Sequence, residues 1–490
     1  MAAGARAANL LVETLLGPGR ATPDKVCVDA AAAAMTYGEL DALSARLAHV
    51  LRAHGVDLGD RVVVQLEKAP ALLALNIACA RLGALYVPLN TAYTEREVVE
   101  LVADAGATLV ARETPLDAPV ARVGLAQLLH EAADQPSSFE DVATGESSPA
   151  ALVFTSGTTG RPKGALLTQG NLVFGCTTLN ELWAITADDV VVHVLPLFHV
   201  HGLFVAAYCS LSSGASMRWL ERFDVTEVLA ALATSTLLMG VPTHYTRLLA
   251  DPRLTRESVA AMRLFVSGSA PLLASTHASF LARTGQAILE RYGMTETGMI
   301  ASNPLLGERR PSTVGFALPG VEVRVPGSPA VVQVRGPNVF AGYWGRPELR
   351  DSEFTPDGFF ITGDLGVVDA DGYLEIVGRS KDVVISGGLN VYPREVELVL
   401  DEVEGVVESA VVGVPDDDLG EVVAAALVVE GDFDEVAVLA HVRETLAPFK
   451  VPRRFLVVNE LPRNAMGKVQ KALVRARVLA QDVGSPGAEP

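Results

Sequence analysis

Little of this chain is aromatic or basic, and none of it is continuously apolar for long. Phe, Tyr and Trp make up 6% of 490 residues, and 58 Asp and Glu outnumber 39 Lys and Arg, for a formal net charge of −19. No Lys/Arg-rich segment interrupts that acidity, so a nucleic-acid or anionic-membrane partner is not expected. Any anionic ligand must find a local cationic pocket. The most apolar segments, such as Val190 to Leu197, have strand length and fall well short of a membrane span. The N-terminus carries Arg6, but its short apolar patch contains Glu13, which suits neither a secretory signal nor a strong transit peptide. A cytoplasmic location is the expectation. Cys27, Cys79, Cys176 and Cys209 are far apart and mostly in apolar contexts. They suit the core of a protein in a reduced compartment better than a disulfide framework or a zinc site. Internal repeats are absent.

What is present is a large apolar fraction, 49%, in a chain too long for one comfortable core, so two or more domains are expected. From about Thr36 to Leu264, short Val/Ile/Leu runs alternate with alanine-rich amphipathic stretches, the pattern of βα units on largely parallel sheets. From Gly315 to Val377 the texture turns to short strands and tight turns, among them Asp357-Gly358 and Asp371-Gly372, which predicts a small barrel or twisted sheet. After Gly378 the chain reads as a separate α+β unit, ending in a Gly/Pro/acid-rich tail. The predicted fold class is α/β: a large N-terminal domain of stacked mixed β-sheets with helices and a small β-barrel-like part, then a small mobile α+β C-terminal domain. The boundaries expected are 1–378 for the large domain, 379–382 for a hinge, 383–480 for the small domain and 481–490 for the tail.

The most informative run is Thr155-Ser156-Gly157-Thr158-Thr159-Gly160-Arg161-Pro162-Lys163-Gly164, which follows the apolar Ala150 to Phe154 and so emerges at a strand end. Its glycines let backbone N–H groups converge on an oxyanion, the Thr and Ser hydroxyls add donors, and Lys163 adds a mobile charge. The Gly-Lys-Ser/Thr ending of a Walker A loop is missing, which disfavours a GTPase or motor ATPase. A solvated Gly/Ser/Thr linker is the plainer alternative.

Four other stretches carry candidate chemistry. Arg291-Tyr292-Gly293-Met294-Thr295-Glu296-Thr297 follows an apolar Ala287 to Leu289 strand; Glu296 could hold Mg²⁺ on a phosphate and Thr295 could donate to an oxyanion, with a helix N-cap as the ordinary alternative. Asp364 closes the apolar Phe360-Ile361-Thr362 run, where a carboxylate could accept two ribose hydroxyls or simply serve a turn. Arg379-Ser380-Lys381-Asp382 and Ser386-Gly387-Gly388 surround the inferred boundary and suit either a solvated linker or a hinge. Lys468 follows Gly467 on a loop and, alone, reads as a surface lysine.

In this order and spread over most of the chain, the five stretches resemble the adenylate-forming superfamily of acyl-CoA synthetases, peptide-synthetase adenylation domains and beetle luciferases. The resemblance implies ATP, Mg²⁺ and coenzyme A. It places the Thr155 to Lys163 loop, Thr295, Tyr292, Ser269 and Arg291 around ATP, Glu296 on Mg²⁺, and Asp364 and Arg379 on the ribose. It also gives Lys381 the hinge, Gly387 and Gly388 the pantetheine path, and Lys468 the adenylation step. His199 falls near the reacting carboxylate, catalytically, and His201 is left as a packing residue.

Within the superfamily the chain is most similar to malonyl-CoA synthetases, through Pro88 to Thr94, Leu195 to Leu203, Met239 to Arg247, Val266 to Pro271 and Leu289 to Thr297. That similarity puts Arg247, Ser269 and Arg291 on the distal carboxylate, with Val200 and Met299 lining the pocket. Burying a second carboxylate calls for a bidentate guanidinium, although either arginine could instead be a structural ion-pair partner. Some malonyl-CoA synthetases carry Thr in place of Val200 and polar residues near Ile300, so methylmalonate is a further candidate. The expectation is an AMP-forming malonate:CoA ligase, making malonyl-AMP and then malonyl-CoA, with fatty-acid metabolism, malonate breakdown and the supply of polyketide extender units all left open as its pathway. A short-chain monocarboxylate synthetase and a non-catalytic nucleotide-binding protein of the same fold are the alternatives. The sequence leaves oligomeric state open.

Overall fold

The computed structural model describes residues 9–155, 162–416, 418–431, 433–464 and 467–483. By internal packing the chain divides into two units, one of Met1–Val323 with Val334–Phe360, the other of Arg324–Gln333 with Ile361–Pro490. The mixed α/β class expected from the alternating pattern holds.

Two sheets build the first unit. One has seven strands in the spatial order Gly342–Tyr343, Lys163–Thr168, Pro149–Thr155, Leu85–Pro88, Arg61–Gln65, Leu109–Arg112, Ala121–Val123. Its pairings are parallel from Pro149–Thr155 outward to Ala121–Val123, and antiparallel on the side of Lys163–Thr168. The other has nine strands, with Val190–His193, Leu237–Gly240, Leu264–Ser267 and Leu289–Met294 parallel at its centre. The first three of these strands read as largely apolar runs, as expected of parallel strands buried on both faces. The helix Ala71–Leu82 is buried at every position, which is why its sequence, Ala-Leu-Leu-Ala-Leu-Asn-Ile-Ala-Cys-Ala-Arg-Leu, shows no polar face. Capping boxes at Thr36, Thr94 and Thr168 start three of the surrounding helices, the threonine hydroxyl accepting from the third helical N–H in each.

The second unit holds most of a four-stranded sheet that includes Phe360–Val368 and Leu374–Arg379, and a five-stranded sheet centred on Gly420–Val429. Val411, Val423, Ala425 and Leu427 on one face pack with the helices Pro393–Leu400 and Glu435–Thr445. Ala410, Val412, Val422 and Ala424 on the other face pack with Val474 and Val478 of Lys471–Val483. This two-sided burial is the alternation of period two that the strand sequence carries.

Two strands run further than the sequence predicts. Arg291 to Met294, expected beyond a strand end, lie inside Leu289–Met294, because Gly298–Ser302 folds back and pairs with them antiparallel. Thr295 and Glu296 therefore sit in a hairpin turn, and the helix N-cap alternative is excluded. Asp364 likewise lies inside Phe360–Val368, held there by pairing with Arg379. In both cases a tertiary strand partner overrides the local polar signal.

Candidate active site

The nine-stranded sheet brings its candidates together at the C-terminal ends of parallel strands, where α/β sheets place their ligands. Val190–His193 leads to His199, Val200 and His201; Leu237–Gly240 leads to the helix Pro242–Ala250 with His244 and Arg247; Leu264–Ser267 leads to Gly268 and Ser269. Leu289–Met294 contributes Arg291 from within the strand. The register pairs Ser267 with Glu290, so the next residues, Gly268 and Arg291, lie side by side. A Cβ on Gly268 would stand 2.4 Å from Arg291 Cζ. Only glycine leaves the guanidinium that space.

Arg291 is 6% exposed, and its Nε and Nη2 have no hydrogen-bond partner among the described residues. Burial pushes its pKa down to about 10, so the guanidinium keeps its charge at neutral pH. A buried cation with unmatched donors is costly unless an anion joins it. Beside it, Ser269 adopts φ 71°, a left-handed conformation that is strained for a residue with a Cβ, and its Oγ lies 3.2 Å from His201 Nδ1. Burial, and then the charge of Arg291, hold the His201 pKa well below its usual value. His244 stacks on Phe223, with ring centroids 4.1 Å apart, and burial, followed by Arg247 and Lys68, pushes it down to about 3. Both rings are therefore neutral.

The other candidates here divide by exposure. Arg247 is exposed on its helix and forms no ion pair among the described residues, unlike the structural-partner alternative. His199 is half-buried against Phe198, Val200 is half-buried, and Met299 is 2% exposed in Gly298–Ser302.

At the phosphate end, Thr155 and Lys163 face each other across an antiparallel pair and close the glycine-rich loop at its base. Ser156, Gly157, Thr158, Thr159 and Gly160 lie outside the described residues. The Glu296 carboxylate is buried and accepts from Thr155 Oγ1 at 3.3 Å and from the Tyr343 hydroxyl at 2.9 Å. Lys163 Nζ pairs with Glu353 Oε1 at 2.8 Å and lies 4.9 Å from the centre of the Tyr343 ring. Both of these partners are neutral hydroxyls, so the carboxylate keeps its negative charge beside them. Among the described residues there is no cluster of three or more His, Cys, Asp or Glu suited to a metal. A single carboxylate fits Mg²⁺, which commonly takes one or two carboxylates and completes its shell with water and substrate phosphates. Tyr292 is half-buried on its strand and Thr295 half-buried in the hairpin turn.

In the second unit, Arg379 Nε donates to Asp364 Oδ1 at 2.8 Å, with Asp364 4% exposed. Lys381 lies in the single turn Ser380–Asp382. Gly387 and Gly388 form the tip of the hairpin between Val384–Ser386 and Leu389–Val391. Lys468 is exposed on a tight turn: Asn464 N–H donates to its carbonyl at 2.9 Å, and its own N–H donates to Asn464 Oδ1 at 3.0 Å.

Sequence reasoning missed Tyr343, Glu353 and Gly268. Tyr343 and Glu353 lie 47 and 190 residues from the side chains they meet, Glu296 and Lys163, and Gly268 acquires its meaning only from the register that sets it against Arg291.

The base of a glycine-rich loop beside a buried carboxylate in one sheet, and a buried arginine with two nitrogens unmatched among the described residues in the other, suit an enzyme that handles a nucleotide and an anionic substrate. The chain belongs to the AMP-binding enzyme family, which it matches over residues 18–344, and its residues 395–468 match the AMP-binding enzyme C-terminal domain. Its class is the AMP-forming acyl-CoA ligases, which use ATP, Mg²⁺ and coenzyme A. Among solved structures it resembles ATP-bound MatB from Rhodopseudomonas palustris, at 46% identity and a TM-score of 0.93, covering 97% of this chain and 100% of that one. It is 37% identical to a feruloyl-CoA synthase from Amycolatopsis over 94% of this chain and 97% of that protein. It is 36% identical to the mitochondrial malonate–CoA ligase of Mus musculus over 89% of this chain and 85% of that protein. Among the described residues no helix is long and apolar enough to cross a membrane.

Proposed function

We propose that the protein is an ATP-dependent malonate:CoA ligase that forms malonyl-AMP and then malonyl-CoA. The observation that carries this reading is the buried Arg291 guanidinium beside Gly268, two of whose nitrogens have no partner among the described residues. A dicarboxylate offers that cation its distal charge while the other carboxylate reacts. A monoacid leaves it unpaired, at a cost of roughly 3–5 kcal/mol, or on the order of 10² to 10³ in selectivity. The malonate–CoA ligase relatives support the same choice. Ferulate, with an uncharged aromatic distal end, would leave the cation unmatched.

In the first half-reaction a malonate oxygen attacks the α-phosphorus of ATP, the bond to the β-phosphate bridging oxygen breaks, and pyrophosphate leaves. Lys163 and the hydroxyls of its loop hold the phosphates, Arg247, Ser269 and Arg291 take the distal carboxylate, and His199 borders the reacting end. Glu296 would hold Mg²⁺, which supplies charge neutralisation at the phosphates. Asp364 and Arg379 take the ribose. Lys468 stabilises the charge that gathers on the nonbridging oxygens, and a rotation about Lys381 then withdraws it. In the second half-reaction the CoA thiol sulfur attacks the acyl carbonyl along Gly387 and Gly388, losing its proton, and AMP leaves.

The test is CoA-dependent AMP formation with ATP and Mg²⁺, comparing malonate, methylmalonate, acetate and octanoate at equal concentration. Turnover confined to malonates is the expected result. Equal turnover of acetate would refute the specificity while leaving the adenylation chemistry in place.

A further inference from the structure

His201 is the part of the acid pocket that neither the motifs nor the proposed chemistry uses. It opens the π-helical segment His201–Ala207, every residue of which is buried. Such wide turns are rare and concentrate at functional sites. The ring is 4% exposed; Nδ1 meets Ser269 Oγ at 3.2 Å, and Nε2 has no partner among the described residues.

Resting on the malonate reading, we propose that His201 is a specificity-determining residue. Its Nδ1 accepts the Ser269 hydroxyl proton, and its Nε2–H donates to the distal carboxylate alongside Arg291.

The argument is one of donor and acceptor accounting. Ser269 and Gly268 are adjacent in the chain; the first touches His201 and the second is in contact with Arg291. One strained dipeptide thus carries both side chains to the same end of the sheet. A neutral imidazole has one donor and one acceptor. Burial first, and then the charge of Arg291, oppose a positive charge on the ring, so the neutral form is the one to count. If Nδ1 accepts from Ser269, the proton is on Nε2, and that buried donor joins Arg291 Nε and Nη2 in having no acceptor among the described residues. A carboxylate, with about four lone-pair sites, can accept all three. The methyl end of acetate can accept none, so each donor left unmatched counts against the monoacid. His193 differs in which role is left over. It stacks on Trp219 with centroids 4.8 Å apart, and its Nε2 lies 2.8 Å from the Gly202 carbonyl and so must donate, which leaves Nδ1, also without a partner among the described residues, as an acceptor that no carboxylate can satisfy.

The experiment compares kcat/KM for malonate and acetate in the full-length enzyme with ATP, Mg²⁺ and CoA, for wild type, His201→Gln, His201→Asn and His201→Phe. A glutamine amide can place an N–H near the Nε2 position, whereas asparagine reaches only toward Ser269. His201→Phe should lower the malonate-over-acetate ratio about tenfold, the effect of one unmatched buried donor. Glutamine should restore most of it and asparagine little. An equal loss for both acids in His201→Phe, or rescue by asparagine as good as by glutamine, would overturn the proposal and leave His201 a packing residue. If His201→Phe does not fold, the glutamine-to-asparagine comparison decides alone. A wild type with no malonate preference overturns the function reading, and this inference with it. A preference that survives in His201→Phe overturns this inference only.

Discussion

Arg291 and Lys468 are both cations assigned to the same reaction, yet their surroundings are opposite. Arg291 is buried at 6% exposure, fixed in a strand and set against a glycine, whereas Lys468 stands exposed on a turn braced by Asn464. A charge that must discriminate between ground-state ligands gains from burial, because an unmatched partner then costs most. A charge that must help one step and be absent from the next gains from a solvated resting place, where no desolvation has to be undone.

That contrast is broken most severely at the lysine. Lys468→Ala should slow malonate-dependent pyrophosphate release on the order of 10²- to 10³-fold, as for loss of a transition-state donor. Thioester formation from supplied malonyl-AMP should be nearly unchanged. Equal loss in both steps would remove the distinction between a mobile and a fixed cation. Next comes Arg291→Met, which fills the volume without charge; malonate kcat/KM should drop by roughly 10²-fold, with acetate unaffected and the melting temperature kept or raised. A fall in both acids alike would mark Arg291 as structural. Gly268→Ala sharpens the same point, because its Cβ would press on the guanidinium. An effect of about tenfold on malonate KM, with ATP KM constant, matches the usual cost of overpacking.

The smallest effect is expected in the second unit and concerns stability alone. Asp401 accepts from Ser409 Oγ at 2.7 Å, and burial pushes its carboxyl up from 3.8 to about 6. The folded unit therefore binds that proton more tightly than the unfolded chain, so its stability should decline as pH rises from 3.8 to about 6 and level off above. Asp401→Asn should flatten this decline, on the order of 1 to 3 kcal/mol by linkage, without altering the malonate-to-acetate ratio. Hydrogen exchange in Val406–Asp416 across that pH range reads it; an unchanged slope would discount the burial of Asp401.

Much of this was legible beforehand, and for definable reasons. Apolar runs of strand length separated by amphipathic helices announced parallel sheets, because burial on both faces leaves a continuous apolar stretch. Glycines, hydroxyls and a lysine after Phe154 marked a candidate phosphate loop, because that function needs those residue types close together in the chain; of it the structure describes only the base, Thr155 paired with Lys163. What stayed hidden depends on partners distant in sequence. Tyr343 reaches Glu296 and Glu353 reaches Lys163 across 47 and 190 residues. The strand ends at Met294 and Val368 were invisible until Gly298–Ser302 and Leu374–Arg379 paired with them.

The sequence by itself determined the class of architecture, the adenylating chemistry and the candidates for each role, since these follow from local pattern and residue type. The tertiary structure alone decided that Arg291 is the buried cation while Arg247 is exposed, that Gly268 makes room for it, and that His201 shares a serine with its pocket. Burial and hydrogen-bond accounting are properties of neighbours in space, and the register of two strands sets them.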